Sequence, residues 1–522
     1  MKKLLKPSFL PKLLIILFMA AELGLLIYGL VMLANLSIDH NMLSMLVVLL
    51  FIGNLISSIL IINSSSPDIY RLTWLFVVNC LPLVGLFMYI AFANKQTSSR
   101  QKKKYVRLSK HLQKDATDPK VYVQFKRDYL PAIGISEYLQ YATGSGAYDH
   151  TSVEYFALGD DAFPKMIEEL KKAKHYIFME YFIYETPGIF FDTIHEVLKQ
   201  KAAEGVDVRL IYDDMGCLGT LPYRYSETLE KEGIKAAVFE PFKPFLDVRL
   251  NNRDHRKILV IDGHTAFSGG INIADEYINV KQRFGHWKDN AIMLRGKAVF
   301  SFTMMFLSDW MAIKNLTGVI DRQAYSVERF IDEIGGMPKG EGYIQPYGDL
   351  PYDSEAVGES VYIQMLNKAN EYCYIVTPYL VITKEMQNAI TRAAHRGVKV
   401  CLLTPHIPDK NGVFHLSRSF YGPLIDSGVK VYEYTPGFVH EKVFIVDDKM
   451  ATVGTINLDY RSLYLHLECG TFIALNSVIA DMKADFEESI SKSQLITAER
   501  WRRWHQRNFA YWGILRIAAP FL

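Results

Sequence analysis

Residues His255–Asp262 read HRKILVID and residues His440–Asp447 read HEKVFIVD, one HxKxxxxD pattern written twice. In an extended strand, side chains two apart share a face, so His255 and Lys257 project together, as do His440 and Lys442. A tight glycine turn and an asparagine follow each time: Gly269, Gly270 and Asn272 after the first motif, Gly454, Thr455 and Asn457 after the second. Each half therefore offers an imidazole, an ammonium and a neutral amide to one anionic group. A phosphate has the charge and the oxygens for that set. Asp262 and Asp447 complete the catalytic motifs; each stands at a strand end before a turn and is expected to bond local backbone or the motif lysine rather than to act directly. Asp289 lies 34 residues after His255, and Glu468 lies 28 after His440. A carboxylate so placed suits a histidine-orienting role, holding the ring N–H opposite the reacting nitrogen; the alternative is a surface charge or a salt-bridge member.

The surroundings of the motifs repeat as well. In the first half a helix pattern, Phe163 to Lys174, precedes a strand, HYIFMEYFIY (His175 to Tyr184), and a second helix ends in AAEGVDVRLIY (Ala202 to Tyr212), with Gly205 as its cap. In the second half a helix, Ser360 to Asn370, precedes CYIVTPYL (Cys373 to Leu380), and the next helix ends in AAHRGVKVCLLTP (Ala393 to Pro405). The fold class expected is α/β, with two copies of one unit over residues 121–330 and 331–495. Five scattered cysteines without CxxC spacing argue against a disulfide framework and a zinc site. No phosphate-loop or dinucleotide glycine motif is present, so neither nucleotide nor other cofactor is expected.

The 58 Lys and Arg balance 56 Asp and Glu, which leaves no basic excess for a nucleic-acid partner. Apolar residues concentrate near the N-terminus in three stretches, 13–36, 42–62 and 72–93, each long enough for a membrane-spanning helix. Residues 1–94 are accordingly expected to be a multi-pass transmembrane anchor and residues 95–120 a basic linker. Lys2, Lys3, Lys6 and Lys12 before the anchor, and Lys95 to Arg107 after it, both favour the cytoplasmic side. Three full spans cannot satisfy both, so segment 72–93, interrupted by Asn79, Pro82 and Gly85, is expected to be irregular, with the catalytic domain cytoplasmic. Residues 496–522 mix Arg500, Arg502, Arg503, Arg507 and Arg516 with Trp501, Trp504, Phe509, Tyr511 and Trp512. That composition suits an amphipathic helix at anionic lipid or, alternatively, a terminal helix docked on the catalytic domain. FEPFKPFLDV (Phe239 to Val248) and YTPGF (Tyr434 to Phe438) precede the motifs and are candidates to line an apolar entry or, equally, ordinary core and turns.

The paired motifs with their following G(G/T)xN resemble the phospholipase D superfamily. The chain is similar, more narrowly, to the bacterial cardiolipin synthases through SGGINIADEY (Ser268 to Tyr277), FGHWKDN (Phe284 to Asn290), GTINLDYRS (Gly454 to Ser462) and Glu468. Thr455 stands where the family commonly has Ser. The resemblance implies a pseudo-twofold catalytic domain and a bacterial membrane location. It also implies transfer of a phosphatidyl group between two phosphatidylglycerol molecules, giving cardiolipin and glycerol without metal or cofactor. By family habit His255 is the nucleophile that forms a phosphohistidine and His440 the acid and base. Lys257, Lys442, Asn272 and Asn457 then bind the substrate phosphate. The superfamily also includes nucleases, phosphatidylserine synthases and hydrolytic phospholipases; a hydrolytic or headgroup-exchanging phospholipase D is the nearest alternative.

Overall fold

The computed structural model describes residues 40–64, 66, 68–90, 99–115, 117–241 and 252–521. These fall into two compact units, one of the helices within 40–90 and one of residues 99–520. In the first unit, helix His40–Ile62 is followed by Asp68–Cys80 and Pro82–Met88. Asn79 Nδ2 donates to Ser58 Oγ at 3.3 Å, a polar tie between the first two. Segment 72–93 breaks at Leu81, whose ψ of 76° is not helical. Pro82 explains the break, since its ring disfavours the helical conformation of the residue before it. Among the described residues no helix is long and apolar enough to cross a membrane. The described residues therefore do not support the expected multi-pass anchor: of segment 72–93, residues 72–88 form parts of two short helices, segment 42–62 lies within a single helix, and segment 13–36 and residues 91–93 lie outside the described residues.

The second unit carries the internal repeat. Its first half contains β1 (Thr151–Phe156), β2 (Tyr176–Tyr181), β3 (Asp207–Asp213), β4 (Lys235–Phe239), β5 (Arg253–Asp254), β6 (Lys257–Ile261), β7 (Thr265–Gly269), β8 (His286–Lys288) and β9 (Ala291–Gly296). Its second half contains β10 (Tyr343–Asp349), β11 (Tyr372–Val376), β12 (Lys399–Pro405), β13 (Lys430–Tyr434), β14 (Gly437–Val439), β15 (Val443–Val446), β16 (Met450–Gly454), β17 (His466–Ala474) and β18 (Ser493–Leu495). The first sheet runs β1-β9-β7-β6-β2-β3-β4, and the second runs β10-β17-β16-β15-β11-β12-β13 with β18 added at its edge. Position by position the two orders coincide, as tandem copies of one unit require. Strands β2, β6, β11 and β15 are buried along their whole length, which matches their nearly continuous apolar sequences.

One apolar core joins the halves. Phe178, Ile258 and Ile292 of the first sheet cluster with Tyr374, Ile445 and Leu467 of the second. Between them lies helix Val299–Ile313, whose residues Val299, Ser301 to Ala312 are buried, so it is apolar nearly all round. The stretch expected as a basic linker is instead structured. Helix Ser99–Leu112 sets Tyr105, Leu108 and Leu112 into this same core, and Lys104 Nζ donates to Asn315 Oδ1 at 2.8 Å. The half boundary also differs from the sequence reading. Val121, Phe125, Ile133 and Leu139 pack with Tyr343, Val361 and Phe444 of the second half rather than with the first. Helix Ala498–Ala518 docks on the catalytic domain: Trp501 Nε1 donates to Arg418 O at 2.9 Å, and Trp512 and Leu515 are buried. Phe509, Ile514 and Tyr511 remain exposed on it.

Candidate active site

Each motif is reached through a short strand that pairs with the opposite half. β5 lies parallel to β17, with Asp254 opposite Leu467, and His255 N donates to Leu467 O at 2.9 Å. β14 lies parallel to β8, with Val439 opposite Lys288, and His440 N donates to Lys288 O at 2.7 Å. One residue further along, Glu468 faces His255 and Asp289 faces His440. His255 Nδ1 lies 2.9 and 3.0 Å from the two oxygens of Glu468, and His440 Nδ1 lies 2.7 Å from Asp289 Oδ2. Each carboxylate therefore lies within hydrogen-bond distance of a histidine ring, and the partner comes from the other half of the chain. When the carboxylate is ionised it only accepts, so in that state Nδ1 carries the hydrogen and Nε2 is the nitrogen left for chemistry.

The carboxylates are themselves fixed. Thr455 Oγ1 and Ser462 Oγ donate to Glu468, and Asn290 N donates to Asp289 Oδ1 at 3.0 Å. A β-carbon on Gly270 would sit 2.0 Å from Asp289 Oδ1, so this glycine is needed for the carboxylate to approach. Spacing alone marked Asp289 and Glu468. It gave no sign of Thr455 and Ser462 as their supports, although both lie in the GTINLDYRS block.

The lysines are equivalent too. Lys257 Nζ donates to His255 O at 2.7 Å, and Lys442 Nζ donates to His440 O while lying 2.9 Å from His440 Nδ1. Asn272 is engaged on both ends, accepting from Ile183 N and donating to Tyr277 Oη, whereas Asn457 Oδ1 is buried without a partner among the described residues. Asp262 and Asp447 stand apart from the imidazoles. Asp262 accepts from the backbone N–H groups of Lys174, His175 and Tyr176, and Asp447 from those of Asn370, Glu371 and Tyr372. Each anchors the start of a neighbouring strand, β2 or β11, which is a structural role for the motif aspartate. Neither bonds its motif lysine.

His255, His440, Asn272 and Asn457 line one cavity of about 600 Å³, together with Tyr277, Trp287, Phe438 and Tyr379. Phe438, Trp287 and Tyr277 stand around the His440 ring, and Phe182 stands against His255. Of the two proposed entry segments, YTPGF thus contributes Phe438 to the cavity wall, while Phe239 is core and residues 242–248 lie outside the described residues. The cavity mixes aromatic side chains with imidazole and amide groups.

Burial sets the charge states. It holds both imidazoles well below their ordinary 6.5, with Lys257 and Lys442 adding to the effect. It lowers Lys442 to about 7 and Lys257 to about 8, and raises Asp289 to about 7. A lysine is cationic below its pKa, so anion binding in the free site is expected to weaken as pH rises through about 7 to 8. On the acid side the neutral imidazoles should persist below 6.5. A profile of kcat/KM against pH checks this, and Lys442→Arg, which stays charged, should move the alkaline limb upward. An alkaline limb unmoved by that substitution would reject the lysine assignment.

The cardiolipin synthase, PLD-like domain model matches residues 166–306 and 362–490, which contain both motifs and both carboxylates. Cardiolipin synthase 2 of Bacillus anthracis is 33% identical over 481 residues, covering 90% of each chain. Cardiolipin synthase of Alkalihalophilus pseudofirmus is 33% identical over 81% of this chain and 83% of its own. An uncharacterized protein of Streptococcus mutans is 42% identical over 90% of this chain and 100% of its own. Among solved structures, phosphatidylserine synthase of Haemophilus influenzae aligns with a TM-score of 0.55 at 14% identity, covering 75% of this chain and all of that one, a likeness of fold. The repeat, the crossed histidine–carboxylate pairs and these relatives agree: the chain belongs to the cardiolipin synthase family of the phospholipase D superfamily, a family of phosphatidyltransferases.

Proposed function

We propose that the protein transfers a phosphatidyl group from one phosphatidylglycerol to another, giving cardiolipin and glycerol. The observation that carries this reading is the pair of carboxylate-oriented histidines, one from each half, in a single apolar-walled cavity. Nε2 of His255 attacks phosphorus, the bond from phosphorus to the glycerol oxygen breaks, and His440 gives its proton to that oxygen. The hydroxyl of the second lipid then returns a proton to His440 as its oxygen attacks phosphorus and the P–N bond breaks. Lys257, Lys442, Asn272 and Asn457 supply positive charge and donors for the non-bridging oxygens. His440 must begin as an imidazolium although burial disfavours one; the bound phosphodiester offsets the lysines and lets Asp289 hold that charge. One diester replaces another, so no energy source is needed.

A membrane-associated protein fits this substrate. Leu49, Phe51, Leu55, Ile59, Leu60, Leu72 and Phe76 leave large apolar surface exposed on the N-terminal helices, as contact with lipid would require. The basic residues around Lys102 to Arg107 favour the cytoplasmic leaflet. The test is to give the full-length protein, reconstituted in vesicles, phosphatidylglycerol alone with a chelator and no nucleotide, and to quantify products by mass spectrometry. Equal cardiolipin and glycerol are expected. Phosphatidic acid with glycerol and no cardiolipin would mean that water wins at the phosphohistidine and that the protein is a hydrolytic phospholipase D.

A further inference from the structure

Beside the motif histidine of the first half stands a third imidazole that the proposed reaction does not use. His466 opens β17, two residues before Glu468, so on the strand the two side chains share a face. Its ring lies 5.6 Å from that of His255 between centroids, and its Nδ1 lies 3.6 Å from Glu468 Oε1. Both its ring nitrogens are buried, and among the described residues neither has a partner within hydrogen-bond distance. Two buried nitrogens without a partner are a costly arrangement for an apolar-walled site, and they point to a ligand. His255, His466 and Glu468 each bring a donor atom within 4.8 Å of the others. Ligands held about 2.0–2.1 Å from a tetrahedral zinc ion lie roughly 3.3 Å apart. The separations of 2.9 Å from Glu468 to His255 and 3.6 Å from Glu468 to His466 bracket that value.

We propose that His255, His466 and Glu468 form an inhibitory binding site for a borderline transition-metal ion such as Zn²⁺. Two imidazoles and one carboxylate suit Zn²⁺ over Mg²⁺ or Ca²⁺, which take oxygen ligands. Thr455 and Ser462 already hold the Glu468 carboxylate in place. On binding, the ion replaces the hydrogen that His255 Nδ1 directs at Glu468, and that proton leaves to solvent. His255 then loses electron density to the metal and Glu468 can no longer support charge on the ring. Inhibition rests on the proposed role of His255 in the reaction; metal binding does not.

The test uses the full-length protein in phosphatidylglycerol vesicles, titrated with Zn²⁺ and in parallel with Mg²⁺, which controls for binding to the anionic lipid. Zn²⁺ should stop transfer reversibly, with activity restored by a chelator, and Mg²⁺ at equal concentration should not. In His466→Asn the inhibitory Zn²⁺ concentration should rise by about tenfold or more while turnover without metal continues. Equal sensitivity of the variant, or no Zn²⁺ effect, would overturn the proposal. Co²⁺ gives a readout independent of turnover: a tetrahedral visible absorption band is expected in the wild type and not in His466→Asn. Absence of the band from the wild type would reject the site even if the variant were inactive. A band that His466→Asn removes, without any slowing of transfer in the wild type, would overturn the inhibitory role while leaving metal binding at these residues, and would reject His255 as a group the reaction uses.

Discussion

His255→Ala and His440→Ala are each expected to abolish cardiolipin formation from phosphatidylglycerol, but for different reasons that one substrate change separates. Loss of a nucleophile removes the covalent path altogether, a fall of about 10⁴-fold or more. Loss of a general acid and base costs about 10²–10⁴-fold with a poor leaving group such as an alkoxide. A phosphatidyl ester of nitrophenol leaves without a proton, so His440→Ala should still react with it once, releasing about one nitrophenol per site. The phosphatidyl group should then remain on His255, since no base activates the second alcohol. Mass spectrometry of the acid-labile, base-stable adduct identifies the residue. His255→Ala should give no burst. A burst in His255→Ala and none in His440→Ala would reverse the two roles; normal turnover of phosphatidylglycerol in either variant would reject the two-histidine mechanism.

Only such a substrate change separates the roles, because the two halves share the motif and the strand order. What the sequence does show follows from that repetition. HRKILVID and HEKVFIVD carry buried strand patterns and a shared polar face, and β6 and β15 occupy the same place in their sheets. Asp262 and Asp447 at strand ends before turns were legible as structural, and each takes three backbone N–H groups. Other features rest on contacts that no local pattern carries. The basic run Lys102 to Arg107 reads as a linker flank, yet Tyr105 and Leu108 at helical spacing turn one face into the core. Residues 121–143 precede the first half in the chain and pack with the second, because Tyr343 and Val361 present the apolar surface that helix Leu130–Thr143 needs. His466 is a lone histidine in a strand with no spacing partner, and only the fold brings it to His255.

The crossed pairing itself makes the second strong prediction. Glu468→Gln and Asp289→Asn keep shape and remove charge, so each should slow phosphatidyl transfer by about 10²–10⁴-fold through loss of ring orientation and of imidazolium stabilisation. Position in the sequence would group Asp289 with His255 and Glu468 with His440. The structure groups them the other way, because β5 pairs with β17 and β14 with β8. With the nitrophenyl donor the two variants must therefore part. Glu468→Gln should slow the burst, since it weakens the nucleophile His255. Asp289→Asn should leave the burst rate close to wild type and slow only the resolution of the adduct, since it weakens His440. Double variants extend the argument: Glu468→Gln should add little to the loss already caused by His255→Ala, whereas Asp289→Asn added to His440→Ala should be similarly silent. A slow burst in Asp289→Asn beside a normal one in Glu468→Gln would show that each carboxylate serves the histidine of its own half. It would also show that the exchanged strands, rather than aligning the reacting groups, only hold the halves together.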